Sequence, residues 1–263
     1  MKKLFTLFFA LVASITFASA TIFEKVLIDG LYYDLDDATL TAMVVRKSDM
    51  YQSFTSVIIP DTVVYNEQTF DVKAIGDDAF FDCSSLQTVQ LPEGLTHLGV
   101  WAFKSCSALT SINLHEGLTS IDREALSGCG FTHIEVPSSV TYLGESVFEY
   151  DLNLTSITLH CTMDTLPHGL FSACTSLDSV VVPQGVKCIN RFAFWQCSAL
   201  THVELPEGLK SIEQDAFSEC KALKKIELPA SLDTIGQYVF TRSASSLICK
   251  AITPPRIHED AFA

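Results

Sequence analysis

Hydrophobic residues recur along most of the chain with a period of 23 positions. Ile75 begins a unit that reads I-G-D-D-A-F-F-D-C-S-S-L-Q-T-V-Q-L-P-E-G-L-T-H, and the same pattern then restarts seven times. One interval is 22 residues instead of 23, because that unit lacks a residue near Gly130. Self-similarity at such a period is typical of repeat architectures. The units begin at Ile75, Leu98, Ile121, Leu143, Leu166, Ile189, Ile212 and Ile235.

Each unit predicts one short strand and one tight turn. Val89 and Leu91 are two positions apart, which places both side chains on the inner face of a strand. Pro92 ends that strand, since proline has no N–H to donate. The Asp-Asp-Ala-Phe stretch that ends at Phe80 fits one turn of α-helix or 3₁₀-helix with its ring inward. This inward column, five residues after each start, comprises Phe80, Phe103, Leu126, Phe148, Phe171, Phe194, Phe217 and Phe240.

One unit cannot cover its own apolar side. Stacking similar coils buries it, with a rise of about 4.8 Å from one strand to the next. The sequence therefore predicts an α/β solenoid of about eight 22–23-residue coils, each made of a short strand and a short helical turn. We expect a single elongated domain with a cap at each end.

The consensus I-G-x-x-A-F-x-x-C-x-x-L-x-x-V-x-L-P-x-x-L-x-x resembles the BspA-type leucine-rich repeat of secreted and surface proteins from bacteria and some parasitic protists. The similarity covers residues 75–240. Residues 28–35 and 249–262 are similar to the family's N-terminal start and closing cap. The resemblance implies a right-handed leucine-rich repeat solenoid. It also implies cell-surface adhesion, or binding of host and bacterial macromolecules.

The first 20 residues read as a secretory signal peptide. Lys2 and Lys3 precede an apolar core at 4–17, and Ala18-Ser19-Ala20 is a small-x-small cleavage site. A membrane anchor is the alternative, but this core is shorter than the roughly 20 residues that span a bilayer. We expect cleavage after Ala20, and a secreted or cell-surface protein without membrane insertion afterwards. The predicted divisions are a signal peptide (1–20), an N-terminal cap with a degenerate first repeat (21–74), BspA-type repeats (75–240) and a C-terminal cap (241–263).

The negative net charge of the chain indicates which classes of binding partner are unfavourable. The chain has 17 Lys and Arg against 31 Asp and Glu, a formal net charge of −14, which disfavours nucleic acid and anionic lipid. Hydrophobic residues make up 48% and charged residues 18%, which excludes a disordered acidic tail and a coiled coil. We expect a monomer that binds an extracellular protein or a host or bacterial surface macromolecule.

Nine cysteines in an exported chain suggest either disulfides or buried thiols. Inward side chains one coil apart do not turn their Cβ atoms toward each other as a disulfide requires, so the column is interpreted as a ladder of thiols. Bridged pairs remain the alternative, and Cys161, Cys188 and Cys249, outside the column, are the better candidates for oxidation. The column, eight residues after each start, contains Cys83, Cys106, Cys129, Cys174, Cys197 and Cys220.

No arrangement of residues in the sequence indicates catalysis, a metal or a cofactor. Cys-x-x-Cys, His-Glu-x-x-His, Gly-x-Ser-x-Gly and glycine-rich phosphate loops are all absent. His133 with Glu135 and His202 with Glu204 occupy equivalent outward strand positions three coils apart, so they cannot share one metal ion. The sequence therefore predicts a protein that is not an enzyme and needs no cofactor.

Five aromatic residues depart from the inward columns, and all lie in the predicted helical turns. Large aromatic rings tend to be buried, either inside the protein or in an interface. These five residues therefore either pack between neighbouring turns or anchor a binding partner. The outward strand positions carry no aromatic residue, so a binding surface has its anchors on the turns. The candidates are Phe81, Trp101, Phe192, Trp195 and Tyr238.

These observations predict an exported, non-enzymatic binding protein that acts in cell-surface adhesion or protein–protein interaction. A secreted carbohydrate-binding module is the first alternative, and it requires aromatic rings on an open face for sugars to stack on. A secreted hydrolase is the second alternative. It requires convergent acid, base or nucleophilic groups.

Phe171→Ala should lower the free energy of unfolding by about 3–5 kcal/mol, because it empties a core position in the middle of the stack. Thr158→Ala, on the outward side of a strand, should change it by roughly 0.5 kcal/mol or less. Urea unfolding of both variants measures the difference. Equal losses would show that the inward and outward positions are assigned incorrectly.

Overall fold

The structure is a computed structural model that describes residues 21–48, 51–244 and 246–262. The predicted signal peptide lies outside these ranges. Within them the chain consists of strands and turns without a helix, so it is a β-solenoid of about eight coils. Correspondingly, this part of the chain contains no helix with the length and hydropathy needed to cross a membrane.

The strands fall into three groups. The N-terminal region contains β1 (Ile22–Ile28), β2 (Leu31–Asp36), β3 (Thr41–Val44), β4 (Ser56–Ile58), β5 (Thr62–Tyr65) and β6 (Gln68–Ile75). The strand-face series follows the inward valine and leucine columns and comprises β7 (Thr88–Gln90), β9 (Ser111–Ile112), β11 (His133–Val136), β13 (Ser156–Leu159), β15 (Ser179–Val181), β17 (His202–Glu204), β19 (Lys225–Leu228) and β21 (Ser246–Cys249). The start series comprises β8 (His97–Leu98), β10 (Ser120–Ile121), β12 (Tyr142–Leu143), β14 (Thr165–Leu166), β16 (Cys188–Ile189), β18 (Ser211–Ile212), β20 (Thr234–Ile235) and β22 (Arg256–Ile257).

Successive coils pair in parallel and in register. The antiparallel strands β1, β2 and β3 lead into the start series in the order β1-β2-β3-β6-β8-β10-β12, and a second sheet continues as β14-β16-β18-β20-β22. The strand-face series, which β4 begins, pairs as β4-β7-β9, β11-β13, β15-β17 and β19-β21. Each coil thus lies directly over its predecessor, as the sequence period predicts.

Proline explains the interruption between β12 and β14. In most coils the residue after the start donates its N–H to the preceding start residue, as Gly99 does to the Ile75 carbonyl at 2.8 Å. Pro167 occupies this position after Leu166 and has no N–H to donate. The Leu143 carbonyl therefore lacks this donor, and the start series divides into two sheets.

The predicted helical turn, and with it the α/β class, is wrong. Asp78 and Asp82 are the third and seventh residues after the start at Ile75. Their φ angles are 55° and 60°, which lie in the left-handed region and therefore interrupt an α-helix. Their N–H groups point along the stack and donate to the carbonyls of Val100 and Lys104, at 2.9 and 2.8 Å. An α-helix would use these groups within its own coil. The hydrophobic pattern is the same in both cases, so the sequence did not distinguish them.

The inward phenylalanines form a continuous stack except at one coil. Tyr51 of the N-terminal region packs on Phe80 at 5.0 Å between ring centroids, and Leu126 interrupts the column between Phe103 and Phe148. All rings from Phe80 to Phe240 in this column are buried. The stacked pairs are Phe80–Phe103 (5.1 Å), Phe148–Phe171 (6.0 Å), Phe171–Phe194 (5.4 Å), Phe194–Phe217 (5.0 Å), Phe217–Phe240 (5.9 Å) and Phe240–Phe262 (5.6 Å).

Five of the six column cysteines donate a hydrogen bond to a carbonyl of the phenylalanine column. All six are buried, and the nine cysteines are free thiols in the structure. Burial raises the pKa of Cys174 and Cys197 well above the ordinary value of a thiol, so both stay protonated and can donate. Five thiols of the column donate to a phenylalanine carbonyl of the preceding coil: Cys106 to Phe80 (3.1 Å), Cys129 to Phe103 (3.4 Å), Cys174 to Phe148 (3.0 Å), Cys197 to Phe171 (3.1 Å) and Cys220 to Phe194 (3.0 Å).

The three cysteines outside the column differ in accessibility. Cys161 is buried, which raises its pKa to about 11, Cys188 is half-buried, and Cys249 is exposed. Among these three candidates for oxidation, Cys249 is therefore the most accessible to solvent.

Cys197→Ala should lower the free energy of unfolding by about 1–2 kcal/mol, because it removes a buried sulfur and its hydrogen bond to the Phe171 carbonyl. Cys249→Ala is the matched control, and its exposed site should give roughly 0.5 kcal/mol or less. Denaturant titration under reducing conditions measures both values. A loss at Cys197 no larger than that at Cys249 would contradict a structural role for the thiol ladder.

Candidate functional site

Two outward surfaces run along the stack. The strand face consists of the outward side chains of the strand-face series. The turn face consists of residues 76–83 and the equivalent segments 99–106, 122–129, 144–151, 167–174, 190–197, 213–220 and 236–243. All five aromatic candidates lie on the turn face and are half-buried.

Phe81 and Trp101 form the first aromatic cluster. Their ring centroids are 6.1 Å apart. The cations of Lys104 and Arg123 lie over the Trp101 ring at 5.0 and 5.6 Å, and Arg46 lies 5.2 Å from the Phe81 centroid. The Trp101 Nε1 is buried without a hydrogen-bond partner. This indole is therefore engaged by the chain's own cations, which restricts access of a partner to its faces.

The sequence analysis missed those cations. Arg123 lies 22 residues after Trp101, but its carbonyl accepts the Trp101 N–H at 3.1 Å, so the two residues are neighbours across one coil interface. The repeat alignment contains this signal, since residues at adjacent positions in successive coils must meet. Arg46 belongs to the N-terminal region, where no repeat register predicts its position.

Phe192 and Trp195 form the second cluster. Their rings meet nearly at a right angle, 87°, with centroids 6.3 Å apart, and the His168 ring lies 5.5 Å from Phe192. The residues at the position of Trp195 in the coils before and after it are Ser172 and Ser218. Because serine side chains are small, the residues on both sides of the indole do not project as far from the surface as the ring does. Within the described part of the chain, no cation lies over this ring.

The five aromatic candidates do not form one site. Phe81–Trp101 and Phe192–Trp195 are four coils apart, or about 19 Å at the usual strand spacing. Tyr238 lies two coils beyond Phe192, on the last complete turn segment. The turn face thus carries two separate aromatic clusters and an additional tyrosine.

Three of these aromatic residues have an unfavourable backbone conformation. Trp101, Phe192 and Tyr238 share the third position after a start, with φ of 59°, 58° and 59°. Bulky residues seldom adopt this region, and each costs on the order of 1–3 kcal/mol compared with glycine, which occupies the same position at Gly169. The stacking contacts hold this conformation, and it directs large rings outward at defined places.

On the strand face, two imidazoles flank one carboxylate. The Nε2 atoms of His133 and His160 lie 3.4 and 3.5 Å from the two carboxylate oxygens of Glu135, and the His133 Nδ1 lies 2.9 Å from the Ser156 hydroxyl. Hydrogen bonds with both histidines lower the pKa of Glu135. The sequence analysis paired His133 with Glu135 but missed His160. In the described ranges, no cluster of three or more His, Cys, Asp or Glu is arranged to hold a metal ion.

A groove of about 320 Å³ crosses the strand face where β17 and β19 are unpaired. Its charged residues compensate one another: Lys225 lies 3.0 Å and Lys250 3.6 Å from Glu227. Lys250, which follows β21, was not predicted to reach this surface. Its lining contains no Phe, Tyr or Trp, so the groove offers electrostatic contacts without one of these aromatic anchors.

A family model described as the BspA-type leucine-rich repeat region matches residues 50–177 and 164–263, with six copies. The chain belongs to the BspA-type leucine-rich repeat family. This confirms the resemblance that the sequence pattern suggested.

Solved structures support the same relationship. A leucine-rich repeat protein from Bacteroides ovatus is 28% identical, with a TM-score of 0.67 over 88% of this chain, which spans 66% of that protein's length. The T. pallidum leucine-rich repeat protein is 25% identical, with a TM-score of 0.55 over 83% of this chain and 89% of its own. No curated protein matches the chain.

Tyr238→Gly should be more stable than Tyr238→Ala by about 1 kcal/mol, because glycine adopts a φ of 59° without the steric cost of a Cβ atom. The control is Thr158 in β13, where alanine should be the more stable of the two substitutions. Thermal or denaturant unfolding of the four variants gives the order. The same order at both positions would contradict the left-handed conformation of the turn face.

Proposed function

We propose that the protein is an exported, non-enzymatic binding protein of the cell surface or extracellular medium, whose partner is a surface-exposed protein. Its family membership and its similarity to bacterial leucine-rich repeat proteins support a binding role. The predicted signal peptide and the net charge of −14 favour an extracellular partner over nucleic acid.

The observation that carries this proposal is the contrast between the inward and outward columns. Inward positions repeat from coil to coil as phenylalanine, leucine, valine and cysteine. Outward positions vary much more from coil to coil, as Thr88, Ser111 and Lys225 show at one strand position, so the stack presents a varied set of side chains along a rigid axis. A repeat protein binds through such a surface, since its repeating core supplies only the spacing.

The Phe192–Trp195 cluster is the proposed anchor on this surface. Binding free energy concentrates in a few aromatic and arginine residues, with tryptophan the most enriched. Trp195 is half-buried and free of the cations that cover Trp101. Arg191, which precedes Phe192 on the same turn segment, is exposed. This combination of two rings and an arginine is suited to a protein surface.

The mature chain should bind at least one member of a panel of extracellular matrix proteins and bacterial cell surfaces. Trp195→Ala should weaken that binding by about tenfold or more, because loss of a hot-spot residue costs at least about 2 kcal/mol. Surface plasmon resonance measures the affinities, and Thr158→Ala on the strand face is the control that should leave them unchanged.

Two results would contradict this proposal. Failure to bind any panel member would remove the binding role. Binding to a glycan array alone, lost in Trp195→Ala, would instead assign the same cluster to carbohydrate recognition.

A further inference from the structure

The coil that begins at Ile121 is built differently from the others. In five of the other units a Cys-x-x-Leu segment closes a turn, as in the hydrogen bond from the Leu86 N–H to the Cys83 carbonyl at 3.0 Å. Here Cys129-Gly130-Phe131 is one residue shorter, and the buried Phe131 takes the leucine's place in the core. The coil therefore loses the turn that follows the cysteine in the longer units.

Several continuous features of the stack are interrupted at this point. Leu126 breaks the phenylalanine column, so the rings of Phe103 and Phe148 do not stack. The start series is unpaired between β12 and β14. The strand-face series is unpaired between β9 and β11, as it also is between β13 and β15 and between β17 and β19. Residues 121–151, which contain the shortened unit and the break in the phenylalanine column, are here called the joint.

Asp151 lies inside this joint. It takes the place of cysteine in the inward column, and its side chain is fully buried. Its Oδ1 accepts the Cys129 N–H at 2.7 Å. In regular coils that N–H donates to the phenylalanine carbonyl of its own coil, as Cys106 does to Phe103 at 3.2 Å. Asp151 therefore supplies the acceptor that the shortened coil lacks.

The second carboxylate oxygen has no such compensation. Asp151 Oδ2 is buried without a hydrogen-bond partner. The titratable groups that face Asp151 are the thiol of Cys129 on the preceding coil and the thiol of Cys174 on the following one, with the Glu149 carboxylate beyond Cys174. No cation of the described residues forms an ion pair with it. An ionised carboxylate in these surroundings would be strongly unfavourable.

We propose that Asp151 is a protonated carboxylic acid in the folded protein, and that its ionisation weakens the joint at residues 121–151. Burial raises the pKa of Asp151 well above its ordinary value, which agrees with the geometry. The stability of the joint in the middle of the solenoid then depends on pH, because it requires the proton on Asp151. The sequence alone shows only that Asp151 occupies a column position that is cysteine in six of the eight units.

The direction of the pH effect follows from linkage. The folded state retains the Asp151 proton to a higher pH than the unfolded state, whose carboxyl titrates near pH 4. The contribution of Asp151 to stability is complete below about pH 4. It decreases as the pH rises, until Asp151 ionises in the folded protein as well.

Asp151→Asn is the test variant, because asparagine keeps the oxygen that accepts the Cys129 N–H and cannot ionise. The unfolding equilibrium constant of the wild type, divided by that of the variant, should rise about tenfold per pH unit above about pH 4. Asp164→Asn, at an exposed aspartate 3.2 Å from Lys187, is the control, and its ratio should not rise in this way. A pH-independent ratio for Asp151→Asn would overturn the proposal.

The comparison of unfolding constants requires that the coils unfold together and that Asp151→Asn folds. Two further measurements on the wild type do not depend on either condition. Hydrogen exchange of the Cys129 amide, compared with that of Cys106 at each pH, should lose protection selectively in the wild type as the pH rises. Infrared spectra of the wild type at neutral pH should show the carbonyl stretch of a protonated carboxyl group. Absence of that band would mean that Asp151 is an ionised acceptor. Parallel exchange of the two amides at every pH would mean that ionisation of Asp151 does not weaken the joint.

Discussion

No coil of this protein can satisfy its own backbone, and the contact between coils therefore determines the fold. The left-handed residues of each turn segment direct N–H groups along the stack, where the carbonyls of the next coil accept them. The same contact buries the phenylalanine column and brings five of the six column thiols to a carbonyl of the preceding coil. Backbone, ring and thiol interactions thus all require the same register, which explains why a 23-residue period is kept so strictly.

The features that repeat were predictable from the sequence, and those that depend on one particular interface were not. The Phe80 and Cys83 columns identified the inward side, because burial leaves a periodic hydrophobic signal. The helical turn was wrong, because that signal does not record the backbone φ of Asp78 and Asp82. Arg123 over Trp101 and Arg46 over Phe81 were missed because they come from another coil and from the N-terminal region.

The features that distinguish this chain from a regular repeat protein lie at positions where its sequence departs from the repeat. Aromatic residues at strained turn positions give two separate outward clusters, and only the Phe192–Trp195 cluster is free of covering cations. Pro167 interrupts one sheet for lack of an N–H. Asp151 replaces a thiol at the shortened coil and supplies the missing acceptor. Each departure is local, and the neighbouring coils keep their register around it.

The most direct test of coil-to-coil stacking is hydrogen exchange at single amides of the turn face. The N–H groups of Phe192 and Gln196 donate to the carbonyls of Gln214 and Ser218 in the next coil, at 3.2 and 2.9 Å. We expect these amides to be protected as strongly as the Glu213 amide, which donates to the Ile189 carbonyl of the preceding coil at 2.9 Å. In a helical turn that starts here, the first amides, including that of Phe192, would have no acceptor and would exchange rapidly. Rapid exchange at Phe192 beside a protected Glu213 would contradict the account.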